Sequence, residues 1–490
     1  MRIIHTSDWH LGQYFYGKSR ANEHQQFLTW LLAQVPTHNI DAIIVAGDIF
    51  DTSTPPSYAR EMYFDFIAKL HVTGCQLIIL AGNHDSVAML AESQSVLANL
   101  STRVITQVIP VSIDEEQLIN NVDSHAENAL ESNIESAVIN QQVFAINNDK
   151  GQPSAIICAI PFVRPRDVIK SRAGQSAKDK QQSLQQAISD HYQHLYQHAL
   201  NLSKSLSKSL TKNSTESLAK DSHLEEGEQL PIIATGHLTA LGVSLNDSKS
   251  DSVRDIYIGS LEAFPASAFP PADYIALGHI HRAQKIAKSE HIRYCGSPIP
   301  LSFDEAKQDK RVLMVEFSSG KLSTVEDIIV PCFQPLYMVK TSIDELEINL
   351  EKTLAEFKTY IDGNSQTHKL KAWLDIEIDN GVHLSDLSQR VTDLVADMPF
   401  EVLLVRRSKK ARQRQQTQLS QNDNSTLSEL SLTEVFDSRL SQLDWQTDEE
   451  IARKIRITQL FTEISNDIST DKTQKIMTGD DVKESELQNS

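Results

Sequence analysis

Five short runs rich in Ile, Val, Leu and Ala, at residues 2–5, 42–46, 76–81, 232–235 and 274–277, each break directly into a polar cluster. The clusters are Ser7-Asp8-Trp9-His10, Gly47-Asp48-Ile49-Phe50-Asp51, Gly82-Asn83-His84-Asp85, Gly236-His237 and Gly278-His279-Ile280-His281. Runs of this length and composition are strands. Four of the five clusters open with glycine, which permits a tight turn off a strand end. Helical spacing separates the first three runs: Phe27, Leu28, Leu31, Leu32 and Val35 recur on one face, and Pro55-Pro56 opens a second helix carrying Met62, Phe66, Ile67 and Leu70. Strand and helix in alternation build stacked α/β layers. Ligands of such sheets collect at the carboxyl ends of the strands, where this chain carries its polar clusters.

A chain of 490 residues exceeds one ordinary core, so two or three units are expected. Residues 1–335 form the first, with two polar stretches read as inserts: 114–141, acidic, and 171–228, rich in Ser, Lys and Gln and expected to mix helix with disorder. Within the second, His191, His194 and His198 share a helical stripe. Tyr192, Leu195, Tyr196 and Ala199 make the better apolar face, so the histidines are read as a solvated face and not as metal ligands. After Pro335 the pattern is strand 336–339, helix 343–360, strand 371–378, helix 384–397 and strand 400–405, a small α+β domain over 336–406. Residues 407–465 supply a basic linker and two amphipathic helices, each opened by a capping box, Ser431-x-x-Glu434 and Thr447-x-x-Glu450. Their stripes (Val435, Phe436 and Leu440; Ile451, Ile455 and Phe461) suit the helix of a partner protein. Residues 466–490 read as a disordered acidic tail.

The balance of 46 Lys plus Arg against 65 Asp plus Glu gives a formal charge of -19, which excludes a protein that coats nucleic acid by bulk positive charge. Contact with a polyanion must be local, metal-assisted or shared with a partner. Cys75, Cys158, Cys295 and Cys332 lie far apart, indicating neither a zinc cage nor a disulfide framework and fitting a reducing cytoplasm. No apolar run approaches the roughly 20 residues that span a bilayer.

The strand ends together offer Asp8, His10, Asp48, Asn83, His237, His279 and His281. One such residue would more often be structural, but the set is hard to obtain by chance. Carboxylate, amide oxygen and imidazole without thiolate suit a borderline ion such as Mn²⁺ better than structural zinc. Seven ligands are too many for one catalytic ion with an open position. Two ions roughly 3.5–4 Å apart can share a carboxylate, activate a water and clamp an in-line attack on phosphorus. The reaction class this indicates is phosphoester hydrolysis.

In order, Asp8-x-His10, Gly47-Asp48-x-x-Asp51, Gly82-Asn83-His84-Asp85, Gly236-His237 and Gly278-His279-x-His281 resemble the signature of the calcineurin-like metallophosphoesterases. That resemblance implies a layered α/β/β/α sandwich with one metal on Asp8, His10, Asp48 and His281, and a second on Asp48, Asn83, His237 and His279. It also implies that His84, oriented by Asp51, contacts the phosphate and assists the leaving oxygen. Longer strings, among them Thr6–Gly12, 232–239, 254–259, 274–283, 293–303 and 402–407, resemble the SbcD family of bacterial DNA-repair nucleases. This implies an Mn²⁺-dependent DNA exonuclease and endonuclease that processes hairpins or DNA ends. Its 336–406 domain would be a cap, its partner the coiled-coil ATPase SbcC bound through the C-terminal helices, and its assembly a homodimer within a heterotetramer.

Gly12-Gln-Tyr-Phe-Tyr-Gly17-Lys18-Ser19 fits the phosphate-loop pattern G-x-x-x-x-G-K-S, yet three of its variable positions are aromatic. Asp8 and His10 also separate it from the strand, whereas a phosphate cradle follows its strand directly. Lys18 and Arg20 are read instead as flanking the metals, where they could touch a DNA backbone. Competing enzymatic readings are a phosphoprotein phosphatase or a cyclic-nucleotide phosphodiesterase. The first expects Arg after the second motif, where Thr52 stands. A non-catalytic scaffold is disfavoured by the complete ligand set.

Overall fold

The computed structural model describes residues 1–108, 141–148, 150–169, 176–216, 228–240, 263–363, 371–379, 384–408 and scattered positions from 436 to 461. The five expected strands fall into two six-stranded sheets. The first runs Lys321–Ile329, Arg311–Ser318, Arg2–Thr6, Ala42–Ala46, Gln76–Leu80, Thr102–Ile105. Its last four strands are parallel, with Ile4 opposite Ile43 and Ile43 opposite Leu77. The second runs Gln284–Lys285, Ile292–Tyr294, Tyr274–Gly278, Ile232–His237, Pro153–Cys158, Val143–Asn147, the middle four parallel.

Alternation along buried strands explains the layering, because successive side chains leave opposite faces. Ala42, Ile44 and Ala46 face an inter-sheet core with Ile78, Leu80, Ile157, Ile233 and Ala276. Ile43 and Val45 face the opposite way, onto Phe27, Leu31, Phe66 and Leu70 of helices Ala21–His38 and Ser57–Val72. The second sheet repeats this arrangement with Ile156, Ile232, Ala234 and Ile275 turned outward. The result is the α/β/β/α sandwich.

The outer helical layer on that second sheet comes from the stretch read as an insert, 171–228, and it packs on the sheet. Most of the stretch is one 40-residue helix, Ala177–Glu216. Leu184, Ile188, Tyr192, Leu195 and Ala199 are buried on it, and His191 is buried with them instead of solvated. Its Ser-Lys-Ser repeat is helical in period: Leu202, Leu206 and Leu210 pack on the same core. Ser203 Oγ donates to Leu230 O at 2.8 Å, and Leu230 N donates to Ser207 Oγ at 3.1 Å. The other expected insert, 114–141, lies almost wholly outside the described residues.

A three-stranded sheet, Leu336–Thr341, Ala372–Ile378 and Phe400–Arg407, carries helices Leu346–Gly363 and Leu384–Val395 over its own core of Leu346, Leu350, Phe357, Leu374, Ile376 and Phe400. Arg406, the last residue of the expected α+β domain, belongs to this sheet, where its Nη2 meets Asp375 Oδ2 at 2.8 Å. Residues 1–406 form one compact unit and 407–490 a second. Within the latter, Phe436 and Phe461 stack with centroids 3.7 Å apart. Val435, Ile451, Ile455 and the tail 466–490 lie outside the described residues. Among the described residues no helix is long and apolar enough to cross a membrane.

Candidate metal centre

Three loops of the first sheet are fastened into one body before any ligand is placed. Asp8 N donates to Gly47 O at 3.0 Å, His10 N to Asp48 O at 3.1 Å and Leu11 N to Ile49 O at 2.9 Å. The buried Asp85 carboxylate then accepts from Ile49 N at 3.1 Å, Phe50 N at 3.0 Å and Gly82 N at 2.8 Å, joining the second loop to the third. Asp8, His10, Asp48 and His279 hold φ of 54°, 47°, 51° and 95°. L-residues rarely sit there, and such strain persists only where the surroundings over-determine it. A Cβ on Gly278 would collide with the Ala46 carbonyl and the His237 ring, so glycine is what lets the two sheets close at this edge.

On one side of the cleft, His237 Nδ1 donates to Ala46 O at 2.8 Å, which leaves Nε2 to face Asn83 Oδ1 at 2.9 Å and Asp48 Oδ2 at 3.2 Å. His279 Nδ1 meets the same Asn83 Oδ1 at 3.0 Å. Burial works against charge on His237, but Asp48 and Asp8 outweigh it and raise the imidazole to about 9. Burial likewise opposes the Asp48 charge, yet His237, His10 and His84 hold that carboxyl well below the usual carboxylate range. Asp48 Oδ2, Asn83 Oδ1 and the His237 and His279 rings thus converge, and deprotonated imidazole beside carboxylate is what a divalent cation binds.

On the other side, Asp8, His10 and His281 each offer a ligand atom, and these atoms lie within 4.8 Å of one another, as do those of Asp48, His237 and His279. Both ring nitrogens of His10 are buried without a hydrogen-bond partner. Nδ1 comes within 3.3 Å of Asp51 Oδ1, but not at a hydrogen-bonding angle, and Nε2 is 3.8 Å from Asp48 Oδ2. Buried carboxylates beside unpartnered imidazoles are the donor set a divalent ion requires, so the residues fit the group.

His84 N donates to Asp48 Oδ1 at 2.9 Å, and its Nδ1 to the carbonyl oxygen of Asp51 at 2.8 Å. The orientation expected from the Asp51 carboxylate therefore runs through the Asp51 backbone, while the carboxylate faces His10. Arg20 is a correction. It is 1% exposed, with Nε 2.7 Å from Glu23 Oε2, Nη1 3.0 Å from Gln13 Oε1 and a further bond to Pro300 O, so it cannot reach a DNA backbone. Lys18, 43% exposed, is ion-paired with Glu401 of the third sheet. Its segment forms the hairpin Tyr14–Phe15 with Lys18–Ser19, not a phosphate cradle.

Two residues were missed in the sequence. Asp85 stood inside a recognised string, but nothing there distinguished a loop fastener from a ligand. Glu305 had no signal at all: it lies on the turn Phe303–Glu305, with Oε1 3.7 Å from His281 Nδ1.

Parallel strands that deliver Asp, His and Asn to one edge of a two-sheet sandwich define a calcineurin-like phosphoesterase, and residues 1–158 match the family model of that description. Residues 332–443 match the family described as type 5 capsule protein repressor C-terminal domain. The chain is 46% identical over 462 residues to the SbcD subunit of the nuclease SbcCD from Escherichia coli K12, spanning 94% of this chain and 97% of that one. The corresponding subunit of Rhodobacter capsulatus is 29% identical over 65% of this chain and 67% of its own length. That of Bacillus subtilis is 26% identical over 77% and 79%. The chain belongs to the SbcD family of metal-dependent nucleases.

Proposed function

We propose that the chain cleaves DNA phosphodiester bonds with two Mn²⁺ ions, one held by Asp8, His10, Asp48 and His281 and the other by Asp48, Asn83, His237 and His279. The observation that carries this reading is the Asp48 carboxylate, whose Oδ2 lies 3.8 Å from His10 and 3.2 Å from His237, between the two ligand groups. When bound, the ions supply Lewis-acid activation of water and neutralise charge developing on phosphoryl oxygens. The protein's own residues do the rest. Ala46 fixes the His237 tautomer, Asn83 spaces His237 from His279, and Asp85 keeps the loops in register. His84, its Nδ1–H held by the Asp51 carbonyl, acts as an imidazolium that gives its Nε2 proton to the leaving oxygen and becomes the neutral Nδ1–H ring.

The three-stranded domain at 336–406 acts as a cap that favours a large substrate over a phosphopeptide or a cyclic nucleotide. Residues 407–465 bind an SbcC-type ATPase in the cytoplasm, in a heterotetramer built on a dimer of this chain. That partner supplies the access to duplex DNA which a chain of charge -19 lacks.

Purified full-length protein should degrade labelled single-stranded and hairpin DNA with Mn²⁺ and not with EDTA. Hydrolysis of a phosphopeptide or cyclic nucleotide with DNA left intact would replace this reading by another phosphoesterase. Truncation after Arg414 should keep single-stranded cleavage and weaken ATPase binding; full co-purification of the truncated chain would remove the segment from that interface.

A further inference from the structure

Glu305 is 3% exposed and no motif assigns it a role. Its Oε2 accepts from Lys310 Nζ at 2.5 Å and from Leu301 N at 3.1 Å, which leaves Oε1 toward His281 Nδ1 with no other hydrogen-bond partner on either atom. The 3.7 Å between them is longer than a hydrogen bond, and the two atoms are left facing each other. Lys310 Nζ also donates to the His281 carbonyl at 3.1 Å and to Ser297 Oγ at 2.9 Å, and Ser297 N donates to the same carbonyl at 3.1 Å. The backbone of His281 is thereby gripped by the network that presents Glu305 to its ring.

The turn that carries Glu305 is anchored from elsewhere. Phe303 packs against Phe15 with centroids 5.0 Å apart, and Phe15 stacks on Trp373 at 5.7 Å and 14°. Leu336 and Trp373, both from the three-stranded sheet, complete this buried seam. The hairpin bearing Phe15 follows directly on the His10 loop, where Gln13 N donates to His10 O at 3.0 Å. His10 and His281 belong to the same ligand group, and each leads back to the seam. The group of Asp48, His237 and His279 is braced instead by Ala46 and Asn83 of the sandwich.

We infer that Glu305 is a positioning residue for His281, seated by the cap sheet through Phe303, so that the cap tunes one of the two metal sites and not the other. The inference rests on the two-metal reading above. A carboxylate behind a ligating imidazole fixes the ring and raises its basicity, and its loss typically weakens metal binding by about 10- to 100-fold.

The test is Mn²⁺ binding to the full-length protein, followed by the electron paramagnetic resonance of free Mn²⁺ and independent of turnover. Glu305→Gln should weaken one of two sites by about 10- to 100-fold and leave the other within about twofold. Trp373→Ala should weaken the same site by a smaller factor. Because Glu305→Gln leaves the buried Lys310 ammonium unpaired, Glu305→Gln with Lys310→Met is measured beside it, and is read by the same criteria if the single variant does not fold. Isotherms equal to wild type, or both sites weakened alike, overturn the inference while the wild type still binds two ions. A wild type that binds fewer than two overturns the two-metal reading along with it.

Discussion

At the scale of the residue, burial separates groups that sequence treats alike. Lys18 and Arg20 look equally suited to a phosphate, but only burial and partners, which depend on Pro300 and Glu401 far along the chain, tell them apart. Arg20→Ala should strand a buried Glu23 carboxylate and cost about 3–5 kcal/mol of stability, the usual penalty for breaking a buried pair. Chemical denaturation measures that loss. A fully stable variant with weakened, salt-sensitive DNA binding would return Arg20 to the substrate surface. The seven ligand-type residues were legible because strand ends advertise them with glycine and a change from apolar to polar. Asp85 and Glu305 act through backbone amides and through another side chain, and such contacts leave no spacing to read.

At the scale of the element, the strands declared themselves because each is buried on both faces and so reads as an unbroken apolar run. Helix Ala177–Glu216 was legible only in part: Tyr192, Leu195 and Ala199 were read as its apolar face, but His191 beside them was read as solvated. Its exposed face is wide and rich in Ser, Lys and Gln, and composition averaged over the stretch hides how far the buried stripe extends, to Leu184 and Ile188 on one side and Leu202, Leu206 and Leu210 on the other. Serines inside that stripe are tolerated because Ser203 and Ser207 both bond to Leu230. Leu195→Ala, at a side chain with no exposure, should destabilise the protein by about 2–5 kcal/mol, measurable by denaturant unfolding. An exposed-face change such as Gln193→Ala should stay within about 0.5 kcal/mol. Equal, negligible effects from both would make the helix a surface appendage.

At the scale of the whole molecule, two sheets meet so that carboxyl ends from both open onto one edge, and neither half holds a complete site. Asp8, His10, Asp48 and Asn83 come from the first sheet, and His237, His279 and His281 from the second. The resemblance to the metallophosphoesterases implied the sandwich and the two ligand sets before any geometry was known. The seating of the cap sheet against Phe15 and Phe303 was not legible, since a seam of four separated residues has no pattern in the sequence. The central claim is that Asp48 serves two ions while His84 serves the substrate, and Mn²⁺ stoichiometry after dialysis tests it most directly. Wild type and His84→Ala should each retain two ions per chain, with cleavage in the variant reduced by about 10²–10⁴-fold. Asp48→Ala should lose both. One ion in the wild type, two in Asp48→Ala, or metal lost from His84→Ala would contradict it.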